Sequence, residues 1–356
     1  MNDNLIKNFW NCGCFIGIPS ENKIYVMTHQ SDFKNNECIL NPPYFYLNDF
    51  YMNHSSPYFK GEVFFEISYS EMLKLISKEF SEKPQISWNE LSKKNYINQF
   101  ESIKNAIDTG YLKKGVPYSS LNGQSLISTK NKVYLIKSLL ENKNQNSTYI
   151  YGYWNQFNGF IGSTPELLFI QNDCYVQTIA LAGTVPNAKN VNKEAFVNNQ
   201  KMQKEHLLVI EGLKHSLSQF GMVSIGETKI LELPKLIHLK TDILVKLKEN
   251  FPFQFEKFLK EIHPTAAVGS LPKNSQGNWL PQTKEEILNR GYYAAPFGII
   301  LDENNSICIC TIRGMQWQDN IVKICAGGGV ILESDINLEW QEIESKMDAI
   351  KYSLGL

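Results

Sequence analysis

A glycine run followed by an acidic segment is the part of the sequence best suited to chemistry. Residues 326–330 read Ala-Gly-Gly-Gly-Val and follow a predicted strand over residues 320–325. Glu339, Glu342 and Lys346 then lie at positions i, i+3 and i+7, on one face of a predicted helix. Glycines let backbone N–H groups approach an anion, and a carboxylate one turn from a lysine suits a hard metal beside an anionic ligand. A glycine-rich hairpin followed by a solvated, ion-paired helix is equally compatible with these residues.

A lysine pair and a single acid are the next candidate groups. Lys113 and Lys114 follow the first predicted helix, where such a pair usually balances the helix dipole. Glu166 begins an apolar predicted strand, and burial there would raise its pKa and suit it to donate a proton. On local sequence alone, an ordinary turn at Glu166 is favoured.

Three further features lie within or at the ends of predicted elements. Glu205 precedes His206 in a predicted helix, and the lack of a His-Glu-x-x-His spacing argues against zinc, although Glu205 could bind a hard cation. Residues 180–184 read Ala-Leu-Ala-Gly-Thr, a small-residue corner that either lines a ligand or permits close packing. Arg313 ends a predicted strand, and an inward-facing arginine there is costly unless it meets an anion.

The elements that must position these groups are predicted from hydrophobic periodicity and turn residues. Short strands alternate with turns up to about residue 90, and the first helix covers residues 90–108. Further strands are predicted over residues 148–154, 166–171, 175–181, 292–301, 306–314 and 320–325, with one long helix over residues 192–220. Runs of strands interrupted by a few long helices indicate an α+β architecture. The lack of a P-loop or a Gly-x-Gly-x-x-Gly after a strand argues against nucleotide-dependent chemistry.

Composition excludes several functional classes. Of 356 residues, 43% are hydrophobic, which is enough for a sizeable core, and the net charge of -1 without a basic stripe argues against nucleic acid. The N-terminal residues do not resemble a signal peptide, and no apolar run reaches the length of a membrane span. Seven scattered cysteines indicate reduced thiols. We therefore expect a cytoplasmic protein without nucleic-acid or membrane partners.

The order of these blocks resembles that of the chorismate-utilising enzymes. This group includes isochorismate synthase, salicylate synthase, anthranilate synthase component I and aminodeoxychorismate synthase component I. The resemblance spans roughly residues 95–356 and is carried by residues 162–168, 181–184, 204–206, 263–273, 290–294, 312–313 and 326–346. The blocks His-Pro-Thr-Ala-Ala-Val, Arg-Gly-Tyr-Tyr-Ala and Glu-Trp-Gln-Glu-Ile are most similar to isochorismate synthases, particularly the menaquinone type.

The resemblance implies a fold and a division of the chain. It implies a single chorismate-binding domain over residues 1–356, with a large antiparallel β core built as a two-sheet sandwich and helices packed outside. Residues 1–95 would supply strands that complete the core, and residues 96–356 would form the catalytic part. Chorismate would be the small-molecule partner, and the protein would be a monomer or a homodimer.

The resemblance also implies a role for each candidate residue. Lys114 matches the catalytic base and Glu166 the acid. Glu205 and Glu342 match acids that hold Mg²⁺, and Glu339 matches an acid beside them. The residues matching the substrate site are Gly183, Thr184, His238, Ala267, Tyr293, Arg313, Gly327, Gly329 and Lys346. A lysine in water, with a pKa of about 10.4, is almost wholly protonated at neutral pH, so a lysine base is expected to be buried.

The implied reaction is the conversion of chorismate to isochorismate, in which water attacks C2 and the C4 hydroxyl leaves. The run Lys-Gly-Val-Pro-Tyr-Ser over residues 114–119 departs from the family's usual Lys-Val-Val-Leu-Ser-Arg, so Lys113 remains an alternative base. Met202 stands where the family often has an acid. The product could serve menaquinone, siderophore or salicylate formation, and the sequence does not choose between them.

Several relatives remain as alternatives to an isochorismate synthase. Ala182 replaces the lysine of covalent aminodeoxychorismate synthases, which argues against an enzyme-bound amine intermediate. Ala267 replaces a threonine common in salicylate synthases, which favours a reaction that stops at isochorismate. A salicylate synthase, an aminating relative and a chorismate binder without turnover are the remaining alternatives.

Overall fold

The fold is built from two large antiparallel sheets and helices on their outer sides. The computed structural model describes residues 3–29, 41–142, 147–189, 191–249, 251–273 and 283–356. Helices α1 to α9 cover Asp3–Asn11, Tyr69–Ile76, Lys94–Asp108, Thr129–Glu141, Lys193–Val197, Gln200–Leu217, Phe255–Ile262, Lys284–Arg290 and Ile336–Leu354. Strands β1 to β10 cover Gly13–Ile18, Lys23–Thr28, Tyr44–Leu47, Tyr58–Phe59, Val63–Ile67, Ser87–Trp88, Lys114–Gly115, Tyr118–Gln124, Tyr149–Trp154 and Asn158–Thr164. Strands β11 to β19 cover Leu167–Asn172, Tyr175–Pro186, Gly221–Glu232, Leu236–Leu247, Ser270–Leu271, Pro296–Ile300, Asn305–Cys310, Gly314–Gln318 and Ile321–Gly327.

The strand order confirms the predicted α+β fold with a large antiparallel core. The first sheet runs β5-β2-β1-β9-β10-β18-β19-β8-β6, and the second runs β13-β14-β12-β11-β17-β16-β3-β4. The short strands β7 and β15 pair with each other. Strands from the first seventy residues lie in both sheets: β1, β2 and β5 in the first, β3 and β4 in the second.

The two sheets face each other through aromatic side chains. Tyr151 and Phe160 of the first sheet lie with their ring centroids 6.1 and 5.3 Å from that of Phe297 in the second sheet. All three are buried. Aromatic burial of this kind contributes strongly to a core because each ring removes a large apolar area from water. Within the described residues, no helix is long and apolar enough to cross a membrane.

Helix α9 carries the acidic segment and confirms the predicted helical face. Its side-chain cap is Asp335, which accepts hydrogen bonds from the N–H groups of Asn337 and Leu338, and it ends at Gly355 with a left-handed φ of 70°. Ile343, Met347, Ile350 and Leu354 are buried at helical spacing. This buried stripe fixes the rotation of α9 and directs Glu339, Glu342 and Lys346 towards the glycine run.

Two predicted elements are divided in the structure. The predicted helix over residues 192–220 is two helices, α5 and α6, because the Asn199 side chain accepts a hydrogen bond from the N–H of Met202 and caps α6. The predicted strand over residues 306–314 ends at Cys310, and β18 starts only at Gly314. Arg313 between them has a left-handed φ of 58°, which breaks the extended backbone.

Candidate active site

The glycine run after β19 brings three other segments together. A methyl group at Gly329 would lie 2.1 Å from Oε1 of Glu205 and 2.5 Å from Cε of Lys114. At Gly327 it would lie 2.7 Å from the hydroxyl of Tyr293. These distances are shorter than real Cβ contacts, so both positions need glycine for close approach. The run therefore allows β7, α6 and the segment before β16 to converge.

Lys114 lies where these segments meet at the glycine run, and Lys113 does not. Lys114 is 1% exposed and its Nζ lies 3.2 Å from Oε1 of Glu205. It is held in place because it pairs with Leu271 of β15. The Lys113 side chain is 56% exposed and pairs with Glu211 on the surface. Only Lys114 meets the requirement that a lysine base be buried.

Glu166 lies at the start of β11 with its carboxyl group buried. Its N–H donates to Oγ1 of Thr164 at 3.1 Å, and Oγ1 of Thr265 donates to its Oε1 at 3.4 Å. Burial raises the pKa of Glu166 to about 7, although Lys114, Lys346 and Arg313 act in the opposite direction. A carboxyl group with this pKa is partly protonated at neutral pH and can donate a proton.

A buried pair, Arg313 and His238, forms the cationic wall of the site. Nη2 of Arg313 donates to Nε2 of His238 at 3.4 Å, which leaves the proton of the imidazole on Nδ1, 3.1 Å from Oγ1 of Thr184. Burial, together with the charges of Arg313 and Lys346, holds the pKa of His238 well below its usual value, so the ring is neutral. Nη1 of Arg313 is buried and has no hydrogen-bond partner among the described residues. A guanidinium N–H left unpaired in this way suits an anionic ligand.

The small-residue corner lies beside His238 and lines the same cavity. Gly183 has a left-handed φ of 74° and lies at a bulge in the pairing of β12 with β14, between Ala182 and Thr184. The bulge turns Thr184 towards His238. Lys346 reaches the same space from α9, where its Nζ donates to the carbonyl oxygen of Gly327 at 2.7 Å.

The three candidate metal acids each pair with a lysine. The pairs are Lys114 with Glu205, Lys201 with Glu339, and Lys346 with Glu342. Glu339 is 1% exposed, and burial together with the charge of Glu342 raises its pKa to about 7. Over the described residues, no three His, Cys, Asp or Glu side chains are arranged to hold a metal ion. Mg²⁺ commonly takes only one or two protein carboxylates plus substrate and water oxygens, and the oxygen donors and buried negative charge here fit that requirement.

A cavity joins these groups. Its empty space, including solvent at the open mouth, is about 560 Å³. Its lining includes every predicted substrate-site residue together with Glu166 and Glu205, namely Glu166, Gly183, Thr184, Glu205, His238, Ala267, Tyr293, Arg313, Gly327, Gly329 and Lys346. Lys114, Glu339 and Glu342 do not line it, but Lys114 and Glu342 contact residues that do. The structure thus brings the predicted residues to one place, while their roles stay predictions.

Sequence reasoning did not single out three residues near the site. Thr265 donates to Glu166, Cys325 lines the cavity, and Lys201 pairs with Glu339. Lys201 lies four positions before Glu205 on α6, so the helical spacing could have identified it as a neighbour of the acids. No comparable signal marks Cys325.

The chain is similar in sequence to known proteins. Isochorismate synthase MenF of Haemophilus influenzae is 30% identical over 234 residues, which are 64% of this chain and 53% of that protein. Anthranilate synthase component 1 of Saccharolobus solfataricus is 28% identical over 205 residues, 55% of this chain and 48% of that protein. The matched region spans about half the length of these relatives.

The fold is also that of a solved enzyme. The menaquinone-specific isochorismate synthase MenF from Escherichia coli superposes with a TM-score of 0.77 at 20% identity, covering 99% of this chain and 91% of that one. Anthranilate synthase component I from Streptococcus pneumoniae superposes with a TM-score of 0.68 at 14% identity, covering 96% and 90%. Residues 63–355 of this chain match the protein family described as "Chorismate binding enzyme". This chain therefore belongs to the chorismate binding enzyme family.

Proposed function

We propose that this protein is an isochorismate synthase, an isomerase that converts chorismate to isochorismate. The observation that carries the proposal is the buried Glu166 carboxyl group, whose pKa is raised to about 7, in a cavity that is also lined by the buried Arg313 and the half-buried Lys346. Chorismate carries two carboxylates, and two cations on the cavity wall match that charge. The identity to MenF of Haemophilus influenzae supports this choice of reaction within the family.

The reaction needs a base and an acid on separate groups. Lys114 would take a proton from a water molecule as that water forms a bond to C2 of the ring. The ring double bonds shift, and the bond from C4 to its hydroxyl oxygen breaks. Glu166 would give its proton to that oxygen, so one water is consumed and one is released. Each such proton transfer by a positioned side chain typically contributes about 10²–10⁴ in rate.

The cationic wall would orient the substrate. Nη1 of Arg313 is free among the described residues to donate to a carboxylate, and Lys346 lies beside the backbone of Gly327. Neutral His238 holds Arg313 without adding charge of its own. Such preorganised donors stabilise anionic groups better in a buried cavity than in water.

We also propose that Glu205 and Glu342 hold a Mg²⁺ ion in the working enzyme. When bound, the ion would supply positive charge to a substrate carboxylate and offset its repulsion from the acids. Activity should disappear with excess EDTA and return when Mg²⁺ is restored. Full activity in the chelated protein would contradict this part of the proposal.

The proposed reaction is tested by product analysis. The purified protein is incubated with chorismate and Mg²⁺ without an amine donor, and products are separated by chromatography and identified by mass. A product isomeric with chorismate is expected. Salicylate with pyruvate would instead indicate a salicylate synthase, and product only with ammonia would indicate an aminating relative. Ala267, where salicylate synthases tend to have threonine, lines the cavity and favours the first outcome.

A further inference from the structure

A half-buried lysine without a role in the proposed reaction lies among the candidate metal acids. Lys201, in the first turn of α6, pairs with the Glu339 carboxylate. The Glu339 side chain is 1% exposed and that of Lys201 21% exposed. Lys201 does not line the substrate cavity. Its ammonium therefore pairs with an acid of the site from outside the cavity lining.

The Lys201 side chain forms an ion pair with the carboxylate of Glu339. Lys201 and Glu205 are four residues apart on α6, so they share a helix face. Glu339 and Glu342 approach the same region from α9, where a methyl group at Gly328 would lie 3.6 and 3.5 Å from their oxygens. The ammonium of Lys201 thus pairs with one of the two α9 carboxylates that approach the glycine run.

We infer that Lys201 competes with the divalent cation for Glu339 and thereby weakens cation binding in the absence of substrate. This inference rests on the proposed function and deepens its metal site. A cation that takes an oxygen of Glu339 must first displace the ammonium. While the lysine stays in place, Glu339 is closed to the cation. Glu205 and Glu342 are themselves paired with Lys114 and Lys346, so oxygens from substrate and water must complete the cation's coordination. Cation and chorismate would then bind best together.

The inference is tested by measuring cation affinity directly. Mn²⁺ is titrated calorimetrically into the full-length protein without chorismate, for the natural protein and for Lys201→Met. Removal of a unit charge next to a buried carboxylate should tighten Mn²⁺ binding by about tenfold or more. Without cation, Lys201→Met should also melt at a lower temperature, because Glu339 is left unpaired, and saturating Mn²⁺ should raise its melting temperature more than that of the natural protein.

Two further variants separate competition from a structural role. In Lys201→Met/Glu339→Gln, no buried charge is left unpaired, and the gain in affinity should vanish if it arises through Glu339. Lys204→Met is the matched control, because Lys204 lies on the same helix but pairs with the exposed Glu333. It should bind Mn²⁺ like the natural protein. If Lys201→Met does not fold, Lys201→Gln, which keeps a hydrogen-bond donor, takes its place.

The results of the Mn²⁺ titrations can be distinguished from those of the product assay. Unchanged or weaker Mn²⁺ binding in Lys201→Met, or a gain that survives in the double variant, would overturn the inference. Absence of Mn²⁺ binding in both proteins would overturn it as well. Isochorismate formation in the product assay would leave the proposed function standing in each of these cases.

Discussion

Nζ of Lys114 lies 3.2 Å from Oε1 of Glu205, and both side chains are buried. The proposed base is therefore also the charge partner of a proposed metal acid. We predict that Lys114→Met loses turnover and also loses stability, because it leaves Glu205 buried without a counter-charge. Breaking a buried pair in this way typically costs about 3–5 kcal/mol. Chemical denaturation and steady-state kinetics measure the two effects.

A double variant separates the effect of Lys114 on stability from its effect on turnover. Lys114→Met/Glu205→Gln should recover much of the lost stability but none of the activity. Lys113→Met serves as the control, because Lys113 is exposed and pairs with Glu211 outside the cavity. A Lys114→Met protein with near-natural turnover would remove Lys114 from the mechanism.

Glu166 should set the alkaline limb of the pH profile. Its pKa is raised to about 7 by burial, and only its protonated form can give a proton to the leaving hydroxyl. We predict that kcat/KM falls as the pH rises above about 7 and that Glu166→Gln lowers kcat by about 10²–10⁴. Bound chorismate, an anion, should shift the limb in kcat to higher pH. A profile that stays flat through pH 9 in the natural enzyme would contradict this role.

The same group should change stability with pH. The pKa of Glu166 is raised from 4.5 when unfolded to about 7 when folded, so the folded protein binds more protons between these values. Stability contributed by Glu166 is therefore lost as the pH rises through this window. We predict that Glu166→Gln gains stability relative to the natural protein from pH 5 to pH 8, on the order of 1–3 kcal/mol. Urea unfolding at both pH values measures it, and a constant difference would refute the burial argument.

Gly329 and its neighbour provide a matched test of the convergence at the glycine run. Gly329→Ala would place a methyl group 2.1 Å from Oε1 of Glu205 and 2.5 Å from Cε of Lys114, so we predict loss of most activity. At Gly328 the nearest atom is Oε1 of Glu342 at 3.5 Å, an ordinary contact, so Gly328→Ala should fold and retain most of its turnover. Equal activities in the two variants would show that the packing at Gly329 does not position Lys114.

The sequence predicts elements best where one local pattern dominates. The face of α9 that carries Glu339, Glu342 and Lys346 follows from their spacing at i, i+3 and i+7, and the structure confirms it. The division at Asn198 and Asn199 is less visible, because apolar spacing continues across both helices while a single side-chain cap separates them. Hydrophobic periodicity likewise does not predict the left-handed φ of Arg313.

The site shows a similar limit. The order of the motifs indicates which residues lie in the same site. It does not indicate which side chains contact one another there. The separation of Lys114 from Lys113 depends on the pairing of β7 with β15, which involves residues far apart in the chain. The ion pair of Lys201 with Glu339 depends on α6 facing α9, which is another long-range contact. These partners follow from tertiary packing, and only the structure shows them.

In the proposed reaction, water attacks C2 while the C4 hydroxyl leaves. Turnover of chorismate in water enriched in oxygen-18, with mass analysis of the product at early times, tests this step. We expect a product isomeric with chorismate that carries one oxygen-18 atom in its ring hydroxyl. An isomer that retains the original oxygen, or no isomeric product at all, would contradict it.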